Sequence, residues 1–192
     1  MVHVGIAYEK FLDGYRLHQQ VYALALKTIP LTKERARQED QPCVASEKHE
    51  LHVGVGGLLF LCYTRMDLVN STLLLQSAVH APFIRDIKFF NTVIGKAHAR
   101  ADSGLVYRRL QQPTCVAAIR DASGSAKRTS YAIEGRLVCR KDDRLVWEAE
   151  GSFAGHLWNG RAHVLTHAGK KSKRVSQSTS HGEALFTLRR FS

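Results

Sequence analysis

The chain has 192 residues, 44% of them hydrophobic and 23% charged, a composition that excludes a fibrous or wholly disordered protein and leaves room for one domain with terminal extensions. No apolar run approaches the roughly 18–20 residues needed to span a bilayer, and no basic head with an apolar run opens the chain, so a membrane span and secretion are not expected; the cytoplasm or the mitochondrial matrix is. The net charge is +11 and uneven: residues 1–50 hold 7 basic and 7 acidic groups, residues 156–192 hold 7 and 1.

In chain order, apolar residues from Tyr8 to Leu26 follow a loose helical period and predict a helix over Ile6 to Ile29, interrupted by Gly14 and ended by Pro30. Thr32 is placed to cap a short helix from Lys33 to Gln38. From Glu39 to Glu50 the chain is polar, contains Pro42 and reads as a linker or surface loop. Residues 1–50 are thus expected to form a helical extension.

Gly54, Gly56 and Gly57 lead into an expected strand, Leu58 to Tyr63. A phosphate-cradling loop would need a Gly-Lys-Ser/Thr that does not follow, so a bulge or a close backbone contact explains the glycines better. A long apolar helix is expected from about Ser71 to Val93, with Asn70 or Ser71 as its cap and Gly95 as its stop. Pro82 falls inside it, so the helix either kinks there or divides into two, with Pro82 in the first turn of the second.

Strands are expected at Leu105 to Leu110, Cys115 to Arg120, Arg128 to Arg140, and from Leu145 towards Leu157. Asn159-Gly160 is a hairpin signal before a returning strand, Arg161 to His167. Such a meander packed on a helix implies an α+β domain over residues 51–167. The rest, 168–192, reads as a basic tail with a short apolar docking segment at Ala184 to Phe191.

Cys43, Cys62, Cys115 and Cys139 are scattered with no Cys-x-x-Cys pair, which suits thiols in a reducing compartment. His163 and His167, four apart, would share a face of one strand but have no acidic or cysteine neighbour to complete a metal site. Nothing calls for a cofactor. Lys170, Lys171, Lys173 and Arg174 form a compact basic cluster suited to an anionic partner such as RNA, with each neutralised phosphate releasing counterions; no aromatics interleave with it, so backbone contact is all it implies. A solvated tail without a partner is the alternative.

The order Phe60-Leu61-Cys62-Tyr63-Thr64-Arg65-Met66-Asp67, then Leu68-Val69-Asn70-Ser71-Thr72, then Ser130 to Val138 and Arg140 to Val146, resembles the hot-dog fold of acyl-CoA thioesterases, in the branch related to 4-hydroxybenzoyl-CoA thioesterase. The resemblance spans residues 55–158 and rests on order and pattern. It implies an antiparallel sheet wrapped around a central helix, a homodimer, and an acyl-CoA substrate. It also implies Asp67 as the base or nucleophile, with Asn70 and the helix-opening amides polarising the thioester carbonyl. Leu68 stands where the family carries His, and the second acidic residue is missing. Two functions follow as expectations: a divergent thioesterase with weakened or lost catalysis, or a non-catalytic subunit of a large assembly, such as an organellar ribosome or respiratory complex, anchored by its basic and helical extensions. An unrelated α+β ligand-binding cup is a third.

Overall fold

The structure, a computed structural model, describes residues 2–3, 5–111, 114–123, 131–142 and 161–175. It is α+β, with antiparallel strand pairs and several helices. The chain divides into two units: Met1–Glu9 with Arg16–Leu105, and Lys10–Tyr15 with Val106–Ser192.

The chain opens with strands β1 (Val2–His3), β2 (Ile6–Phe11) and β3 (Gly14–His18), not with the expected helix. Only Gln20–Ala25 (α1) of that stretch is helical. The reason is local: Leu12-Asp13 makes a two-residue turn before Gly14, which breaks the helical period and starts a hairpin. With β4 (Gly104–Arg108) these strands form a sheet in the order β1-β2-β3-β4.

The first unit is otherwise helical. Thr32 caps α2 (Lys33–Arg37) as expected, its hydroxyl accepting the Arg35 N–H at 3.2 Å. The expected strand Leu58 to Tyr63 is instead the end of α3 (Ala45–Leu61) and the turn after it. Leu51, Val55, Leu58 and Leu61 recur at spacings of three and four and form its buried stripe. At its start the Glu47 carboxylate accepts the Val44 N–H at 2.9 Å and is itself gripped by Arg35 at 2.8 and 2.9 Å.

The expected helix Ser71 to Val93 divides into α4 (Val69–Ala78) and α5 (Ile84–Ala99). Pro82 precedes the second helix instead of entering its first turn. Its carbonyl accepts the Cys43 N–H at 2.9 Å, while the Ile84 and Arg85 N–H groups donate to the carbonyls of Gln41 and Glu39, each at 3.1 Å. The polar stretch before α3 thus satisfies the open start of α5. Gly95 does not stop this helix, which runs on to Ala99. Asn91 clasps Ile29 with two bonds of 2.8 Å, one given and one taken. The core gathers Ala23, Ile29, the α3 stripe, Leu68, Leu75 and the buried side of α5, from Ile84 to Ala97. Burying a Leu or Phe here contributes about 1.5–3 kcal/mol each.

In the second unit β5 (Thr114–Ser123), β6 (Tyr131–Asp142) and β7 (Ala162–Val175) form an antiparallel sheet; the strands fall near where the sequence places them, but β4 joins the other sheet instead of opening this one, and β6 pairs directly with β7. The strand expected beyond Leu145 and the Asn159-Gly160 turn lie outside the described residues. Strand β7 runs through 168 to Val175, so the expected tail boundary falls inside a strand. Among the described residues no helix is long and apolar enough to cross a membrane.

Candidate functional site

Asp67 lies in a 3-10 turn, Met66–Leu68, directly before α4. Both of its carboxylate oxygens accept from Arg65, Oδ1 from Nε at 2.8 Å and Oδ2 from an Nη at 2.7 Å. The other Nη of Arg65 donates to the carbonyls of Ala97 (3.3 Å) and Arg100 (2.6 Å) at the end of α5. Arg65 is 1% exposed. A buried guanidinium therefore neutralises the carbonyl end of α5, and Asp67 balances its charge. Arg65 holds the Asp67 carboxyl below its ordinary value of 3.8, against the upward push of partial burial.

That is the wrong direction for a general base, which works best with a pKa near the operating pH. Asn70 is the second residue of α4 and is exposed. The Val69 N–H at the helix opening is already given to the Met66 carbonyl. Of the two residues expected to share an active site, Asp67 is paired with Arg65 and Asn70 is exposed in the first turn of α4.

The other candidate is the sheet of the second unit. Along β6, Leu137 is half-buried and Cys139 and Lys141 are buried, while Arg136 and Arg140 are exposed. Register places Val116 opposite Arg140 and Ala118 opposite Val138, and Val116 and Ala118 are exposed too. One face thus shows two guanidinium groups over small apolar residues and Thr166. Thr114 Oγ1 accepts from Arg140 Nε at 3.0 Å and steadies that arginine. Arg120 pairs with Arg136, and Lys170 and Lys171 with Glu134 and Ile133. Lys170, Lys171, Lys173 and Arg174 all fall on β7; their side chains lie outside the described residues.

His163 and His167 do not share a face as expected. Register sets His163 opposite Arg140 and His167 opposite Leu137, so four steps on β7 match three on β6. An irregularity near Leu165 absorbs the extra residue and turns the two rings to opposite sides. Among the described residues no three His, Cys, Asp or Glu side chains gather as a metal site.

The second unit also holds a cleft of about 360 Å³, where the hairpin tip Lys10–Tyr15 meets Tyr107 to Arg109 and His163. Gly14 lets the strands approach there, because a Cβ would collide with the Tyr107 carbonyl oxygen. The Tyr107 hydroxyl donates to the Val164 carbonyl at 2.9 Å, and burial raises its pKa, so it remains a neutral donor. The Tyr107 and His163 rings meet edge-on, with centroids 5.3 Å apart. The Arg108 guanidinium lies 5.6 Å from the Phe11 ring centroid. Asp13 faces Arg161 at 3.4 Å and Arg108 at 3.9 Å.

No sequence signal joins residues 10–15 to residues 107–109 and 163, and this grouping of aromatic with basic side chains goes unseen until the chain is folded. No protein-family model matches the chain, and no curated protein or solved structure matches it either.

Proposed function

We propose that the chain is a non-catalytic, RNA-binding subunit of a larger assembly, with the second unit as its binding part. The observation that carries this is the segregation of charge. The second unit holds 17 Lys and Arg against 8 Asp and Glu, a net +9 of the chain's +11. The exposed face with Arg136 and Arg140 belongs to that unit, as does β7 with its run of Lys and Arg. Basic groups along a sheet face supply sequence-independent phosphate contacts.

Less supports acyl-CoA hydrolysis. Asp67 is committed to Arg65 through both oxygens, and a hot-dog body would need one central helix where the chain has α4 and α5. Fluorescence anisotropy with a labelled single-stranded RNA tests the proposal. Binding is expected at low salt, weakening log-linearly with salt concentration. No binding at 50 mM salt, together with acyl-CoA hydrolysis that disappears in Asp67→Ala, would replace it with the enzyme.

A further inference from the structure

We infer that the cleft between the Lys10–Tyr15 hairpin tip and His163 takes a single nucleotide of the bound strand, its base against the aromatic rings and its phosphate against the arginines. This rests on the RNA-binding reading and names a site within it. The volume, about 360 Å³, lies at the lower end of small-ligand clefts (roughly 300–1,000 Å³) and suits one nucleotide better than an extended ligand.

Its walls carry the two chemistries a nucleotide needs. Phe11, Tyr15 and Tyr107 supply ring faces and edges. Tyr15 is 52% exposed, so its ring is open to a partner. Lys10, Arg108 and Arg109 supply positive charge. Arg109 makes its structural bonds through its backbone, its N–H donating to the Asp13 carbonyl at 2.9 Å and its carbonyl accepting from Arg161 at 3.1 Å. The exposed guanidinium is left for a phosphate.

His163 lines the cleft with its ring edge-on to that of Tyr107. His163 Nε2 is closed to solvent and has no hydrogen-bond partner, although such groups are ordinarily paired. His163 also sits opposite Arg140 in the sheet register, so the cleft adjoins the arginine face. A strand tracking that face with its phosphates reaches the cleft without crossing to the other side of the sheet. Stacking on aromatics tolerates any base, which fits a site built from rings and charge.

The test measures binding of AMP, GMP, CMP, UMP and inorganic phosphate to the full chain by calorimetry or saturation-transfer NMR, then competition of the best nucleotide with a short RNA. The variants are Tyr15→Leu and Arg109→Ala, each checked for an unchanged thermal melt. A mononucleotide is expected to bind better than phosphate and to be displaced by RNA. Tyr15→Leu is expected to weaken it about tenfold, and Arg109→Ala to weaken both nucleotide and phosphate. RNA binding that persists while no mononucleotide binds would overturn the cleft and leave the RNA reading standing. So would phosphate binding equal to nucleotide binding, an unchanged affinity in Tyr15→Leu, or a nucleotide that RNA does not displace. Loss of both RNA and nucleotide binding in the unaltered chain would sink the RNA reading itself.

Discussion

Arg65 is a buried cation held by one carboxylate and two helix-end carbonyls. Arg65→Lys keeps the charge but loses the planar two-pronged contact, and is expected to cost about 2–4 kcal/mol in urea unfolding. Asp67→Asn should cost less, about 1–2 kcal/mol, because the carboxylate is half in solvent. The pH dependence has a definite sign. The folded-state pKa of Asp67 is depressed, so its contribution is fully present above the ordinary 3.8 and is lost as pH falls through the lower folded value. The stability gap between the native chain and Asp67→Asn should therefore stay flat above about pH 5 and close in acid. A gap that instead closes on the alkaline side would contradict the clasp.

Cys43 gives a second check at this scale. Burial, and then the negative charges of Glu47 and Asp86, push its thiol up to about 11. At pH 8 only about 0.1% would be thiolate, so alkylation of Cys43 in the folded chain should be at least tenfold slower than that of an ordinary exposed cysteine. Mass-spectrometric labelling over time measures it.

Elements turn on how closely backbones approach. A Cβ at Gly54 would enter the ring of Phe90, a core residue 1% exposed, whereas at Gly95 nothing lies within 4 Å. Gly54→Ala is expected to destabilise by about 1–2 kcal/mol, overpacking outweighing the gain in helix propensity. Gly95→Ala should stabilise by about 0.5–1 kcal/mol. Thermal melts of the two variants should therefore move in opposite directions.

The same contrast shows why some elements were legible. Thr32 carries a local cap signal, and β4 to β6 and the start of β7 are short apolar runs set off by turn residues, signals that tertiary contacts leave in place. Leu58 to Tyr63 reads as a strand because its apolar run is short and follows three glycines, yet the helix that claims it starts at Ala45, inside the stretch Glu39 to Glu50 that reads as a linker, and its buried stripe opens at Leu51. Tyr8 to Leu26 holds two elements of different period, and Asp13-Gly14 was the available sign of the break. Pro82 divides the helix because the Glu39–Gln41 carbonyls accept the amides it leaves open, a long-range contact invisible in the sequence. The basic cluster at 170–174 shows as composition, but its place on β7, with Lys170 and Lys171 opposite Glu134 and Ile133, depends on register.

On the scale of the whole molecule, charge is divided unevenly between the two units. Among the described residues the helices all fall in the first unit, which is near neutral, with 11 basic against 9 acidic residues; the second holds the three-stranded sheet and almost all the net charge. Folding needs no such division, and like charges on one sheet face oppose it, so the arrangement suits an anionic partner. The most direct measurement is the salt dependence of RNA affinity for the native chain and for a chain carrying Arg136→Gln with Arg140→Gln. Each phosphate contact on a single strand contributes about 0.7 to the slope of log affinity against log salt. The double variant is expected to bind more weakly at low salt with a slope smaller by roughly 1.4, and to unfold at the same temperature. Equal affinity and an equal slope in the two chains would contradict the assignment of this face as the RNA-binding surface.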